Sequence, residues 1–91
     1  MAVLVRIPTP LRTLTKGAAE VQADASTITD LIEVLERQFP GLKERLLEDG
    51  GQLRRFVNIY LNDEDIRYTG GVETALKPGD TLDVLPALAG G

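Results

Sequence analysis

The sequence predicts an α+β domain in which a mixed sheet of four to five strands carries one main helix across one face. Short segments of alternating apolar and polar residues lie on both sides of a single stretch where apolar residues recur at helical spacing. The chain has 91 residues, 43% of them hydrophobic, which leaves room for one compact domain. A domain of this size needs a core made by a single pairing of layers, such as one sheet against one helix.

Two strands are predicted before the helix. Residues 3–7 alternate, with Val3, Val5 and Ile7 on one face. Prolines at positions 8 and 10 end this strand, because proline has no N–H to donate to a ladder. Lys16-Gly17 then marks a turn into a second, shorter strand at residues 18–23. The two strands would form a hairpin with a fairly long connection.

The main helix is the clearest predicted element, at residues 28–39. Its apolar positions recur at helical spacing: Ile28, Leu31, Ile32, Leu35 and Phe39. Ser26 or Thr27 caps its start, and Pro40-Gly41 ends it. A stripe with this spacing is typical of a helix that packs against a core.

Three further strands are predicted after the helix. A short helical turn at residues 42–47 leads to the strongest strand, residues 56–61. Residues 62–65 have turn chemistry and precede a short strand at residues 66–68. The last strand spans residues 81–85 and stops at Pro86. This order is the β-grasp arrangement, in which the last strand commonly lies beside the first.

The composition excludes most catalytic and metal chemistry. The chain has no Cys and no His, so it lacks a thiolate nucleophile, zinc–thiolate ligands and a histidine base. Asp63, Glu64 and Asp65 do not have the ligand spacing of a calcium loop, and no glycine-rich phosphate loop is present. We therefore expect no enzyme activity, no metal site and no cofactor bound by this chain.

Charge and hydropathy also limit the partners. The net charge of −4 argues against nucleic acid and against an anionic membrane surface. No apolar run approaches the length of a membrane span, and the N-terminus lacks the pattern of a signal peptide. We expect a cytoplasmic protein with no nucleic-acid or membrane partner.

The C-terminal run is the feature that points to a function. Because the sheet is expected to end at Pro86, residues 1–86 would form the domain and residues 87–91 (ALAGG) a flexible tail. Gly90 and Gly91 add no side-chain bulk, so such a tail can thread a narrow channel and deliver its carboxylate to another protein. Alone this is weak, because many frayed ends also finish in small residues.

Joined to the predicted topology, three segments resemble the ThiS/MoaD family of ubiquitin-like sulfur carriers. They are residues 56–67 (FVNIYLNDEDIR), 78–80 (PGD) and 85–91 (LPALAGG), within a similarity that covers nearly the whole chain. The first segment is most similar to carriers of the cysteine-biosynthesis type. The resemblance implies a β-grasp fold and a role as sulfur carrier.

The resemblance also implies a chemistry at Gly91. An E1-like adenylating enzyme would use ATP to convert the terminal carboxylate into an acyl-adenylate, and a sulfur donor would displace AMP to leave a thiocarboxylate. Leu88, Ala89 and Gly90 would thread the active site of the partner. A sulfur-accepting synthase would then take the sulfur, either a cysteine-synthase-like enzyme using pyridoxal phosphate or another thio-product synthase. ATP and the sulfur donor are used by the partners.

The uncovered face of the sheet is the predicted docking surface. The pleat sends the residues that alternate with the core set to that face. The predicted docking residues are Phe56, Tyr60, Leu4 and Leu85. Exposed aromatic side chains on such a face are typical of a partner surface, although cross-strand packing without a partner is the plainer interpretation.

Three alternative functions stay open at this point. The chain could be the small subunit of molybdopterin synthase, although residues 62–75 are fuller than in that branch. It could be a ubiquitin-like modifier conjugated to target lysines through Gly91. It could also be a β-grasp interaction domain with an idle tail.

Overall fold

The structure, a computed structural model, describes residues 2–55 and 57–86. Its strands and helices are, in chain order, β1 (Val3–Arg6), β2 (Glu20–Ala23), α1 (Ile28–Gln38), α2 (Leu42–Leu46), β3 (Val57–Leu61), β4 (Glu64–Asp65) and β5 (Thr81–Pro86). Short 3-10 helices occupy Thr9–Leu11, Ile66–Tyr68 and Gly71–Glu73. The predicted α+β order is therefore confirmed.

The five strands form one mixed sheet in the order β2-β1-β5-β3-β4. The first and last strands lie side by side and run parallel, while the other neighbouring pairs are antiparallel. β5 is thus the central strand, as expected for a β-grasp domain. β5 is paired with β1 on one side and with β3 on the other for the first part of its length.

Helix α1 covers one face of this sheet. Its buried side chains are the predicted stripe of Ile28, Leu31, Ile32 and Leu35, and Phe39 packs partly buried beside them. They pack with the inward set of the sheet, which consists of Val3, Val5, Val57, Ile59, Leu82 and Val84. The alternation along the strands therefore separates a core face from an uncovered face.

Both ends of α1 follow local chemistry. Of the two predicted caps, Thr27 is the residue used: its hydroxyl accepts the N–H of Asp30 at 3.2 Å. The helix ends at Gln38, one residue before the predicted end, and Gly41 follows with a φ of +101°. A left-handed backbone of this kind suits glycine, which has no Cβ to clash.

The predicted short strand at residues 66–68 is wrong. The strand is Glu64–Asp65, and Ile66–Tyr68 forms a 3-10 helix. Asn62 and Asp63 both have positive φ, +50° and +74°, which closes the β3–β4 hairpin with a two-residue turn and starts β4 early. The Asp65 carboxylate then accepts the N–H of Arg67 at 2.9 Å and caps the 3-10 helix.

Smaller differences concern strand ends. β2 begins at Glu20 instead of residue 18, because the Thr15 hydroxyl donates to the Ala18 carbonyl at 2.9 Å and keeps the chain in a turn. Ile7 follows β1 but is buried as predicted. β5 includes Pro86, one residue beyond the predicted strand. Within the described ranges, no helix is long and apolar enough to cross a membrane.

Candidate functional site

The end of β5 is the part of the described structure nearest to the C-terminal residues. β3 pairs with β5 along its length, with Asn58 opposite Leu85 and Val57 opposite Pro86. β1 pairs with β5 only as far as Arg6 opposite Asp83. Among the paired strands, β3 alone therefore accompanies the last three residues of β5.

The predicted docking residues that the structure describes do not form one continuous apolar patch. Tyr60 and Leu4 are partly buried on the uncovered face, and Leu85 is 47% exposed. Leu4 lies level with Thr81, whereas Leu85 lies four residues further along β5, about 13 Å away at the rise of a strand. Tyr60 is opposite Asp83, so it lies one diagonal step from Leu85.

Three charged residues on neighbouring strands, Glu20, Arg6 and Asp83, form a row across the uncovered face. This row lies between Leu4 and Leu85, and it also lies between Tyr60 and the edge formed by β2. Arg6 lies between Glu20 and Asp83, with its Nε 4.0 Å from a Glu20 oxygen and its Nη1 3.5 Å from an Asp83 oxygen. On the far side of Tyr60, the register places Asp65. The uncovered face therefore combines single apolar side chains with a row of alternating charge.

The other predicted site residues lie outside the described part of the chain. They are Phe56 in the docking set, Leu88, Ala89 and Gly90 in the tail, and Gly91 as the reacting residue. Their roles, and the division into a domain at 1–86 and a tail at 87–91, stay predictions.

A buried carboxylate fixes the turn from which β5 starts. Asp80 is 8% exposed, and its carboxylate accepts hydrogen bonds from the Lys77 N–H at 2.8 Å and the Asn62 side-chain amide at 3.1 Å. These donors, the Lys77 N–H first, hold the pKa of the Asp80 carboxyl below its usual range. The Asn62 side chain also accepts the Thr81 N–H at 2.9 Å, so the β3–β4 turn and the start of β5 are joined.

Two residues near the end of β5 were not singled out from the sequence. Arg67 donates from Nη1 to the Asn58 side chain at 2.7 Å. This hydrogen bond lies at the edge of β3 that faces away from β5. Asn58 is a polar residue in an otherwise apolar strand. Such a residue indicates that its side chain has a specific hydrogen-bond partner. Arg67 carried no signal of its own, because its place beside β3 depends on the 3-10 helix.

The described residues contain no group of three or more carboxylates arranged to hold a metal ion. An acidic hollow lies between α1 and α2 and is lined by Glu33, Glu36, Glu44, Glu48 and Asp49, with Lys43 beside them. Glu36 is not free there, because its carboxylate accepts the Lys43 N–H at 2.8 Å and the Gly41 N–H at 3.2 Å. Those backbone donors, Lys43 first, lower the pKa of the Glu36 carboxyl.

Residues 5–91 match the model of the ThiS family. The chain belongs to the ThiS family. The match extends from β1 to Gly91, so it includes both the sheet and the terminal glycines. The predicted resemblance to the ThiS/MoaD family is therefore confirmed.

Two relatives support the cysteine-biosynthesis branch. The chain is 48% identical over 93 residues to the sulfur carrier protein CysO of Mycobacterium tuberculosis, with all of both proteins covered. It also superimposes on a chain of the crystal structure of the Amycolatopsis orientalis BexX/CysO complex, with a TM-score of 0.93 and 49% identity over 99% of this chain and 100% of that chain. The β-grasp fold and the general role of sulfur carrier in this ThiS-family protein follow from these relatives.

A third relative is named for a different role. The small archaeal modifier protein 3 of Haloferax volcanii is 38% identical over 68 residues, which covers 75% of this chain and 73% of the relative. The relatives of this chain therefore include proteins named as carriers and a protein named as a modifier.

Proposed function

We propose that this protein carries sulfur as a thiocarboxylate on Gly91. The observation that supports this most strongly is the full-length similarity to CysO, a sulfur carrier protein. The terminal carboxylate would attack the α-phosphate of ATP in an E1-like enzyme, releasing pyrophosphate and forming an acyl-adenylate. Sulfide would then add to that carbonyl and expel AMP, which leaves the thiocarboxylate.

The chemistry of the chain supports a carrier in place of a catalyst. The sequence offers no Cys or His, and its sulfur would be held on a carboxyl carbon that needs no thiol of the protein. The nucleotide site would belong to the activating enzyme, since the chain has no glycine-rich phosphate loop. The protein would therefore act as a cosubstrate of its partners.

The position of β5 supports delivery of Gly91 into a partner. β5 is the central strand and its last described residue is Pro86, at an end of the sheet that β1 does not reach. Five further residues can span at most about 17 Å when extended. That reach is enough for Leu88, Ala89 and Gly90 to thread a channel in the partner while the domain stays outside it.

The partners would be an E1-like adenylating enzyme and a sulfur-accepting synthase. The BexX/CysO complex of Amycolatopsis orientalis supports the idea that a carrier of this fold docks on a second protein. The acceptor would be a cysteine-synthase-like enzyme or another thio-product synthase. Tyr60 and Leu85 are the described residues best placed to contact such partners. Phe56 stays a predicted contact.

Intact mass spectrometry tests the proposal. The protein is incubated with an E1-like enzyme that is active on a known carrier, ATP and sulfide. The expected product is heavier by the exchange of one oxygen for one sulfur, and fragmentation places the change at Gly91. The variant that lacks Gly90 and Gly91 is the matched control and stays unmodified. An unmodified wild-type protein under these conditions would contradict the carrier chemistry.

A protein modifier is the second candidate, because the Haloferax volcanii relative is named as one. It would share the activation of Gly91 but transfer the acyl group to a lysine amine of a target. The same preparation, supplied with cell lysate as well as sulfide, distinguishes the two. Peptides in which Gly91 is joined to a lysine amine of another protein would favour the modifier, whereas a free thiocarboxylate favours the carrier.

A further inference from the structure

The guanidinium of Arg67 is bound to the first part of β3. Its Nη1 donates to the Asn58 side chain at 2.7 Å, and its Nη2 donates to the carbonyl of Val57 at 2.8 Å and to the carbonyl of Arg54 at 3.1 Å. The Arg67 backbone is itself fixed, since its N–H donates to the Asp65 carboxylate. The three hydrogen bonds to Arg54, Val57 and Asn58 therefore hold the exposed Arg67 side chain in one position.

The hydrogen-bond alternation of the sheet explains why Val57 needs this partner. The N–H of Asn62 donates to Thr81 at 2.8 Å, so this pair is hydrogen-bonded. In an antiparallel ladder such pairs alternate, which makes Asn58 opposite Leu85 a bonded pair and Val57 opposite Pro86 a non-bonded one. The carbonyl of Val57 therefore points away from β5, towards the sheet edge.

Among the residues that the structure describes, no strand covers that edge of β3 at Val57. The pairing of β4 with β3 is limited to Tyr60 and Leu61. The N–H of Val57 is occupied locally, since it donates to Arg54 at 3.1 Å. Arg67 therefore takes the place of an edge strand for the carbonyl of Val57.

The strand whose outer edge Arg67 binds, β3, is also the strand that pairs with the end of β5. Because β1 pairs with β5 only as far as Asp83, residues 84–86 of β5 depend on β3 for their pairing. We propose that Arg67 is a positioning residue: by binding the start of β3, it sets the direction in which the chain leaves the domain after Pro86. This inference rests on the proposed function, in which Gly91 must reach a reacting atom in a partner.

A positioning role predicts a defined kinetic pattern. An Arg67→Ala protein would still dock through the sheet face, so the KM for the carrier in adenylation would change little. The kcat would fall about tenfold, because a carboxylate that is misplaced in the bound complex reacts more slowly. Pyrophosphate exchange with the E1-like enzyme measures both constants.

Two further variants separate position from charge. Arg67→Lys keeps the charge but loses the forked donor, so it should behave like Arg67→Ala. Arg37→Ala removes the same charge from the exposed last turn of α1 and should leave both constants unchanged. Recovery of full kcat by Arg67→Lys would overturn the positioning role.

Hydrogen exchange provides a readout that needs no partner. The amides of Asn58 and Leu85 should exchange about tenfold faster in Arg67→Ala and Arg67→Lys than in the wild type, while the amide of Val5 stays unchanged. Unchanged exchange at Asn58 and Leu85, or a rise in KM alone, would overturn the inference. A wild-type protein that is not adenylated would instead contradict the proposed function, so the two failures are distinguishable.

Discussion

Asp80 shows how one side chain can organise the start of the central strand. Its carboxylate binds the Lys77 N–H and the Asn62 amide, and its own carbonyl accepts the Leu4 N–H at 2.9 Å. The residue therefore connects the turn before β5, the β3–β4 turn and β1. A charged acceptor that is nearly buried and receives two donors is worth more to stability than a neutral one.

The lowered pKa of Asp80 predicts a pH dependence of stability. The unfolded chain binds more protons than the folded protein between the two pKa values, so stability rises with pH in that interval. The contribution should be complete above the ordinary value of 3.8 and lost as the pH falls through the lowered folded pKa. Glu36, whose pKa is also lowered, acts with the same sign.

Asp80→Asn tests this contribution. We expect the variant to lose about 2 kcal/mol of unfolding free energy at pH 7, since it removes the charge that two donors bind. At pH 3 the difference in unfolding free energy between the variant and the wild type should shrink, while the acid dependence due to Glu36 remains in both proteins. Urea denaturation at the two pH values measures it. A difference that is equal at both would show that the charge of Asp80 is not involved.

At the scale of elements, α1 was predictable and residues 62–68 were not. The helix has an uninterrupted stripe from Ile28 to Leu35 and a capping threonine, so pattern and local chemistry agree. The turn after β3 uses positive φ at Asn62 and Asp63, where no glycine signals it. Because the position of the turn sets where β4 begins, the error moved the predicted strand by two residues.

The cap of α1 gives a prediction at this scale. Thr27→Ala should lower the unfolding free energy by about 1 kcal/mol, because the N–H of Asp30 loses its acceptor. Thr27→Ser should keep most of it. The helix should still form, since Ile28 donates to Thr74 and Leu76 donates to Ser26 through the backbone.

Thr13→Ala is the matched control for the cap. Thr13 is exposed and lies outside the helices and strands, so its loss should change stability by less than about 0.5 kcal/mol. Denaturation in urea compares the three variants. Equal stability of Thr27→Ala and the wild type would show that backbone bonds alone fix the start of α1.

For the whole molecule, the sequence predicts the face of a residue but not its register. Alternation assigned Leu4, Tyr60 and Leu85 to the side opposite α1, and the strand pairing places them there. It could not show that Leu4 and Leu85 lie at different levels of β5, because register depends on contacts between distant segments. The tail was predicted from Pro86 and the terminal glycines, and its chemistry from the family resemblance; both stay predictions.

The register also determines how the docking surface should be tested. Tyr60 lies between Asp83 on β5 and Asp65 on β4, so a carboxylate at position 60 would meet two like charges and weaken the sheet itself. Tyr60→Lys instead places a cation between two carboxylates and should leave the fold intact. If the uncovered face docks partners, the Kd for the E1-like enzyme should rise about tenfold or more, since a central aromatic side chain is lost.

Tyr68→Lys is the control for that variant, because Tyr68 is a tyrosine on the 3-10 helix that is 85% exposed. It makes the same change of side chain and charge away from the row of Tyr60, so its Kd should stay within about twofold of the wild type. Titration calorimetry measures the affinities, and thermal unfolding verifies that both variants are folded. Equal weakening by the two variants would show a general effect of charge, and unchanged affinity of Tyr60→Lys would remove Tyr60 from the docking surface. Only a loss confined to Tyr60 places the partner on the uncovered face, beside the end of β5 from which Gly91 would be delivered.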